Sequence, residues 1–266
     1  MRLLPVGVDH GLREDAAGEL DLAEALAESL GLPFERVSLQ VQAGAGLQQR
    51  ARDARYAALL ARAAREGAGV AVGHTLDDQA ETVLGRLLRG SSVAGLGGIE
   101  PRRADGVIRP LIDVRRSEVL GYLKAHGIPF AADPSNRDAA FTRSRIRHGL
   151  LPDLAKEDAA VVEHLAALAE DCRAASEVVA AAGEQALLRA GDRAGPLREE
   201  PRAVRRFALG RWAEKHLATS LGRAHLEALE GMLLRGGEVL LPGGKVARVD
   251  GEDRLRLETS TKRTRG

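Results

Sequence analysis

The sequence predicts an α/β fold with a parallel sheet, followed by a second, mainly helical domain. Before Pro152, short apolar runs alternate with stretches of helical period, and this order is typical of parallel strands joined by crossover helices. After Pro152 the pattern changes to helices alone, so a domain boundary is predicted there. The 44% hydrophobic content of the 266 residues supports a sizeable core.

The first domain opens with an apolar run at residues 3–8, which predicts a strand. A leucine repeat at helical spacing, closed by Gly31, predicts a helix at 16–30. The same signals predict strands at 33–39 and 70–72, helices at 47–66 and 115–126, and between them a helix that follows His74. Residues 91–107 are rich in glycine and have no strong period, so we expect a mobile loop beside a ligand site.

The second domain is predicted to be helical until it closes with a small β-hairpin. Its predicted elements are a long alanine-rich helix at 161–189, a turn-rich break at 191–201, helices at 203–216 and 223–235, and strands at 238–241, 246–249 and 254–257. The first two of these strands flank a Pro-Gly-Gly-Lys turn. The boundaries are therefore 1–151 for the first domain, 152–258 for the second and 259–266 for a basic tail.

Charge and cysteine content exclude several classes of function. The 39 basic and 38 acidic residues leave a net charge of +1, so any nucleic-acid surface must come from local clustering. Cys172 is the single cysteine, which excludes internal disulfides and cysteine-based zinc sites and fits a reducing cytoplasm. The sequence has no apolar run of about 20 residues and no signal-peptide pattern, so we expect neither a membrane span nor secretion.

Polar residues concentrate where the strand at 70–72 gives way to a helix. His74 ends the strand, and Asp77, Asp78 and Glu81 fall within the first turns of the helix. Spacings of three and four put these carboxylates at adjoining positions, where they could hold an ammonium group or a metal ion. The alternative is that acidic residues here only complement the helix dipole.

Several motifs resemble those of the tRNA(Ile)-lysidine synthetase family, which belongs to the PP-loop ATP pyrophosphatase class. The most specific is H-x-x-D-D-x-x-E-T, from His74 to Thr82, followed by L-R-G-S and G-L. The pieces R-P-L, D-x-S-N and R-x-R-I-R then occur in the family's order, with Ser144 where the family usually has asparagine. The helical unit that closes with L-P-G-G resembles the family's substrate-binding extension. The resemblance implies a Rossmann-like sheet of the PP-loop ATPase type.

The resemblance also implies an activity. Family members use ATP, with Mg²⁺ screening its phosphates, to adenylate the C2 oxygen of the wobble cytidine, position 34, in the isoleucine tRNA with a CAU anticodon. Free lysine then attacks and releases AMP, which changes decoding from AUG to AUA. The implied partners are this tRNA and free lysine, with no membrane and a possible homodimer.

The resemblance assigns roles to the polar residues of this sequence. The implied catalytic set, placed to receive lysine and help deprotonate its amine, is Asp78, Glu81, Asp77 and His74. The implied ATP-binding set is His10, Arg13, Arg52, Arg55 and Arg145, and Arg143 and Arg147 are expected to contact tRNA. In a helix Arg143 and Arg147 share a face that Arg145 does not. A basic surface face without a ligand is the alternative for these arginines.

The phosphate-binding loop of the PP-loop class, S-G-G-x-D-S, is not found in the sequence. We expect that the true start lies upstream, and that the chain as written binds ATP poorly. The alternatives are a paralogue without ATP chemistry that binds tRNA, and another PP-loop tRNA-modifying enzyme. Thiolation enzymes that carry sulfur or an iron–sulfur cluster on cysteines need thiols that this sequence lacks.

Overall fold

The computed structural model describes residues 2–9, 11, 16–41, 44, 46–131, 142–217 and 219–259. Two predicted site residues, His10 and Arg13, lie outside the described residues, as do the D-x-S-N motif and residues 260–266 of the predicted tail. Contacts divide the chain into a first unit, Met1–Asp171, and a second unit, Cys172–Gly266. The boundary at 151/152 stays a prediction.

The first unit alternates strands and helices before it becomes helical. Its elements are β1 (Val6–Asp9), α1 (Ala16–Ser29), β2 (Glu35–Ser38), α2 (Leu47–Glu66), β3 (Val70–Ala71), α3 (Leu76–Leu88), α4 (Val93–Leu96), β4 (Val107–Ile108), α5 (Arg116–Ala125), α6 (Thr142–Arg145), a π turn (Ile146–Leu150), α7 (Leu151–Glu157) and the start of α8 (Val161–Ala190). The strand and helix order predicted from the apolar pattern is confirmed.

The strands that the structure describes in the first unit pair in parallel, as the alternation of strands and helices predicts. β1 pairs with β2, with Val6 opposite Glu35, and β3 pairs with β4, with Val70 opposite Val107. Tyr56 of α2 is buried against Val70 and Val107, so the helix covers the β3–β4 pair. The carboxyl ends of these two strands therefore lie side by side.

A second core joins α3 to the segments that follow α6. Ala80 and Leu84 of α3 pack against Ile146, Leu151 and Val162. A Cβ added to Gly85 would lie 3.2 Å from Ile146 Cδ1, so glycine in the middle of α3 permits a close approach of the π turn. This packing sets the distance across which the polar side chains of the two segments meet.

The glycine-rich loop is bonded to α3 by side chains of the helix. Arg86 donates to the carbonyl oxygens of Gly95 and Gly98 over 2.7 and 2.8 Å. The Gln79 side chain accepts from Ile99 N and donates to Ile99 O. The bonding groups of α3 are the side chains of Gln79 and Arg86, and the mobility of the loop stays a prediction.

The second unit places helices beside an antiparallel sheet. After α8 come α9 (Ala194–Arg198), α10 (Arg202–Leu217), α11 (Arg223–Arg235), β5 (Glu238–Leu241), a 3-10 turn (Pro242–Gly244), β6 (Lys245–Val249) and β7 (Leu255–Thr259). The sheet order is β5-β6-β7, which confirms the predicted hairpin and further strand. Leu197, Leu209, Leu229 and Leu233 are fully buried in its core.

The break predicted at 191–201 contains the helix α9. Its start is fixed from a distant part of the chain, because the Asp253 carboxylate accepts from Gly195 N over 2.7 Å and pairs with Arg198. No helix in the described part of the chain is both long and apolar enough to cross a membrane.

Candidate active site

The predicted acidic cluster lies where β3 gives way to α3. Thr75 precedes the first residue of the helix in an extended conformation. The Asp78 carboxylate uses Oδ2 to accept from Thr75 N over 2.8 Å and from Thr75 Oγ1 over 3.1 Å. This carboxylate oxygen therefore caps the N-terminus of α3. The other, Oδ1, faces the segment that contains α6 and the π turn.

Asp78 and Glu81 form a buried carboxylate pair that two arginines bridge. Asp78 Oδ1 accepts from Arg143 Nη2 over 2.6 Å and from Arg147 Nη2 over 2.8 Å. Glu81 accepts from Arg143 Nε over 2.8 Å, and its two oxygens accept from Nε and Nη2 of Arg147. Arg143 and Arg147 thus share a face, as their spacing predicts, and this face is directed at the acids.

The two bridging arginines differ in exposure. The Arg147 side chain is 17% exposed, whereas that of Arg143 is 52% exposed. Burial by itself would raise the pKa of the Asp78 carboxyl, but the Thr75 amide and the two guanidinium groups outweigh it, and the pKa is lowered. Burial lowers the pKa of Arg147, but bonding to Glu81 more than compensates and raises it. These shifts favour the charged forms of Asp78 and Arg147.

Asp77 is directed away from the carboxylate pair. Its Oδ2 accepts from Arg116 N at the start of α5 over 2.7 Å, and Arg115 Nε lies 3.4 Å away. Asp77 and Asp78 are thus neighbours in the sequence but bond to different elements of the fold. Thr82 bonds within α3, donating from Oγ1 to Asp78 O over 2.8 Å.

Beside the acids lies a cluster of arginines around Tyr56. The guanidinium carbons of Arg52, Arg55 and Arg103 lie 5.0, 5.6 and 5.0 Å from the centroid of the Tyr56 ring. Burial lowers the pKa of Arg52, and the neighbouring cations Arg55, Arg109 and Arg143 lower it further, outweighing a Tyr56 contribution that raises it. Stacking on an aromatic ring holds these cations together in spite of their repulsion. The arrangement suits an anionic ligand.

Several buried polar atoms of this cluster have no hydrogen-bond partner within the described residues. They are Arg55 Nε, Tyr56 Oη, His74 Nδ1 and Arg109 Nε. Arg109 is 5% exposed and donates to Glu100 O. Buried donors normally have a partner, so their concentration at one place fits a ligand-binding site.

His74 lies between the two clusters. Burial lowers its pKa to about 4; Asp78 opposes this shift, and Arg109, Arg52 and Arg143 add to it. The imidazole is therefore neutral at pH 7. Neutral imidazole can accept a hydrogen bond from a cationic ligand.

The chain is similar to known proteins over most of its length. A family model described as a PP-loop domain matches residues 1–154. Curated relatives named tRNA(Ile)-lysidine synthase include one from Methylobacterium nodulans, 41% identical over 85% of this chain and 70% of its own length. Another, from Thermobifida fusca, is 40% identical over 91% of this chain and 79% of its own length. The chain belongs to the tRNA(Ile)-lysidine synthase family.

The family that the central motif resembles is thereby confirmed, although the relatives differ in length. A tRNA(Ile)-lysidine synthase from Bradyrhizobium is 46% identical over 71% of this chain, which spans 55% of that relative. The chain spans about half the length of several curated relatives that it matches. Among solved structures it is similar to the U34-tRNA thiolase NcsA from Methanococcus maripaludis, with a TM-score of 0.53 and 19% identity over 64% of this chain and 62% of that one. This likeness supports the PP-loop type of fold.

Three side chains beside the lysidine synthase motif were not assigned from the sequence: Thr75, Arg103 and Arg109. Arg109 had a detectable signal, because it directly follows β4, and polar residues at the carboxyl ends of parallel strands gather at ligand sites. Arg103 had none, since its position depends on the loop that precedes β4. Arg145 is exposed on α6.

Proposed function

We propose that this chain carries the catalytic chemistry of a tRNA(Ile)-lysidine synthase, ligating lysine to C2 of the wobble cytidine in the isoleucine tRNA with a CAU anticodon. The proposal rests on family membership and on one structural observation. The buried carboxylates of the motif are already paired with guanidinium groups. Directly beside them lies the arginine cluster around Tyr56, which has too few carboxylates to pair with its cations. A reaction that joins a cationic amine to a phosphate-activated substrate needs both kinds of surface.

The lysine ammonium is proposed to bind at Asp78 and Glu81. Both are buried, and both now accept charge-assisted hydrogen bonds from guanidinium groups. Arg143 is the partner that an ammonium group can replace, because its side chain is half exposed whereas that of Arg147 is not. Arg147 then holds the two carboxylates in place.

His74 is proposed to orient the amine. Its Nδ1 is buried without a partner, and the low pKa keeps the ring neutral. A base with a pKa of about 4 accepts a hydrogen bond from an ammonium group readily but takes its proton poorly near pH 7. We therefore propose that the amine has already released its proton to a base in bulk solution when it attacks, and that His74 and the carboxylates fix its direction of attack.

The nucleotide is proposed to bind at the arginine cluster. The unpaired Arg55 Nε, Arg109 Nε and Tyr56 Oη offer donors that phosphate oxygens would satisfy, so the residues present fit a polyphosphate. ATP supplies the group that makes the C2 oxygen of the cytidine a leaving group. The described residues contain no group of three His, Cys, Asp or Glu side chains suited to a metal ion, and we assign Mg²⁺ no protein ligand.

The remaining assignments follow from the proposed reaction. Arg143 and Arg145 are the arginines of α6 with exposed side chains, and we propose that they meet the tRNA substrate near the anticodon. This proposal replaces the ATP contact expected of Arg145 and the tRNA contact expected of Arg147. The enzyme would work in the cytoplasm, where the tRNA and free lysine are found. Asp77 would support the site indirectly, by joining α3 to α5.

The test is lysidine formation by the gene product that contains this chain. Purified protein is incubated with ATP, lysine and the isoleucine tRNA transcript, and digested nucleosides are analysed by mass spectrometry. We expect lysidine only with ATP present. Asp78→Asn and Glu81→Gln should raise the lysine concentration needed for half-maximal rate about ten- to hundredfold, since each removes a charge-assisted bond of roughly 1.5–3 kcal/mol.

The matched control is Asp153→Asn, which removes an exposed carboxylate of α7 that pairs with Lys156. It should leave the lysine dependence unchanged. If the gene product forms no lysidine, the proposal is wrong. If Asp78→Asn and Glu81→Gln behave like Asp153→Asn, the acids serve only the folding of α3.

A further inference from the structure

Gln79 is a buried polar residue of the central motif to which the proposed reaction gives no task. It lies on α3 between Asp78 and Glu81, and it is 2% exposed. Its side-chain amide carries both a hydrogen-bond acceptor and donors, and burying such a group is costly unless it is bonded. The partners of this amide therefore indicate what the residue does.

Both ends of the Gln79 amide are bonded to the backbone of a single residue, Ile99. Gln79 Oε1 accepts from Ile99 N over 2.5 Å, and Gln79 Nε2 donates to Ile99 O over 3.2 Å. A residue of a neighbouring antiparallel strand would make the same two bonds to Ile99. A side chain of α3 thus takes the place of a strand and fixes the position of Ile99.

The residue before Ile99 fits closely against the same amide. Gly98 has a φ of 66°, and a Cβ added to it would lie 2.5 Å from Gln79 Oε1. Other residues rarely adopt this backbone conformation, and a side chain would also displace the amide from its bonds. Glycine at position 98 therefore lets Gln79 reach the backbone of the loop.

The residues that follow Ile99 hold Arg109. Arg102 forms an antiparallel bridge with Ile108, so this segment runs beside β4. Arg109 N donates to Pro101 O over 2.9 Å, and Arg109 Nη1 donates to Glu100 O. The backbone and the guanidinium group of Arg109 are therefore both bonded to the two residues directly after Ile99.

Arg109 is one of the cations of the proposed nucleotide site. Its side chain is buried, and its Nε has no hydrogen-bond partner within the described residues. Burial is the main cause that lowers the pKa of His74 and of Arg52, and the charge of Arg109 lowers both further. Arg109 thus lies close to both residues, and the direction of its Nε depends on where residues 100 and 101 lie.

We propose that Gln79 is a positioning residue for ATP, because it fixes Ile99 and thereby the Glu100–Pro101 backbone that directs Arg109 Nε at a phosphate of the nucleotide. The identity of the ligand rests on the proposed function. One helix would then serve both small substrates. Asp78 and Glu81 hold the lysine ammonium, and Gln79 acts on the nucleotide through Arg109.

The experiment measures ATP binding to the gene product that contains this chain by titration calorimetry, without lysine or tRNA. The test variant is Gln79→Met, which removes both bonds to Ile99 and keeps a side chain of similar length. Val83→Ala is the matched control, because Val83 is fully buried on the same helix and its truncation weakens packing without removing a polar contact. Circular dichroism selects a temperature at which every variant is folded.

A second pair of variants disturbs the same contact from the side of the loop. Gly98→Ala displaces the Gln79 amide and leaves α3 unsubstituted. Its control is Gly106→Ala, since Gly106 also has a positive φ but an added Cβ there would meet no atom within 4 Å. This pair tests the contact even if Gln79→Met does not fold.

We expect Gln79→Met and Gly98→Ala to raise the Kd for ATP about tenfold, since loss of a charge-assisted bond to phosphate corresponds to about ten- to hundredfold. Val83→Ala and Gly106→Ala should bind ATP as the unsubstituted protein does. An unchanged Kd in Gln79→Met and Gly98→Ala would overturn the inference. An equal rise in Val83→Ala would also overturn it, because Gln79 would then only support the packing of α3.

A double-mutant cycle tests whether Gln79 acts through Arg109. Arg109→Met should weaken ATP binding by itself, and adding Gln79→Met should then have little further effect, because the residue that Gln79 positions is already absent. If the two effects multiply instead, Gln79 does not act through Arg109 and the inference is wrong.

The outcome is separable from that of the proposed function, since ATP binding needs no ligation. If the gene product forms no lysidine but its ATP binding depends on Gln79 as described, the proposed function fails and the role of Gln79 stands. If lysidine forms and Gln79→Met binds ATP normally, only the role of Gln79 is refuted. A gene product that binds no ATP would overturn both.

Discussion

Arg143 and Arg147 bind the same two carboxylates, yet we expect their removal to have different effects on stability. Arg147→Met would leave Asp78 and Glu81 buried with a single, half-exposed guanidinium partner. Removing one member of a buried ion pair costs about 3–5 kcal/mol, because the remaining charges lose compensation. Arg143→Met leaves Arg147 bonded to both carboxylates, and we expect a loss of about 1 kcal/mol or less, as for exposed pairs.

Urea unfolding followed by circular dichroism measures this difference. A lower midpoint at an unchanged m value reports lower stability. The control is Lys156→Met, since Lys156 and its partner Asp153 are 73% and 68% exposed, and the midpoint should not change. The reasoning would be refuted if Arg143→Met and Arg147→Met lowered the midpoint equally, because exposure would then not decide the strength of these pairs.

Three further predictions concern pH, backbone conformation and ligand binding. Because burial lowers the pKa of His74 to about 4, the unfolded chain binds a proton below pH ~6.5 that the folded chain does not. The free energy of unfolding should therefore fall by about 1 kcal/mol, after solvent screening, as the pH drops from about 6.5 to about 4. Urea unfolding of His74→Asn at the same pH values should lack this part of the fall. Gly98→Ala should lower the melting temperature more than Gly106→Ala, since both have positive φ but only the Cβ at Gly98 would lie 2.5 Å from Gln79 Oε1; equal melting temperatures would contradict this. Arg52→Ala in the natural gene product should weaken ATP binding about ten- to hundredfold by titration calorimetry and leave lysine binding unchanged, and the reverse pattern would remove Arg52 from the nucleotide site.

Most helices and strands could be predicted because their signals are local. The helices at 47–66 and 223–235 have the predicted bounds, since an amphipathic period and a glycine after the last turn lie within a few residues of each other. The hairpin that ends the second unit was likewise predicted from its turn residues. The helix α9 was missed because Asp253, far along the chain, fixes its start.

The candidate site could be predicted only in part. The spacing of Asp78 and Glu81 by itself put their side chains on one face of α3, and the spacing of Arg143 and Arg147 did the same for the segment that follows. Helical geometry alone decides such faces. The sequence therefore determined which side chains share a face, and its motifs indicated the family that comparison with relatives confirmed.

Only the tertiary structure decided which groups these faces meet. Asp77 adjoins Asp78 in the sequence, yet it bonds to the start of α5, because α3 packs between segments that are distant in the chain. The acids meet Arg143 and Arg147 across a separation of more than 60 residues, since Gly85 lets α3 approach the π turn at Ile146. Sequence spacing carries no information about such contacts, because they depend on how complete elements fill the core together.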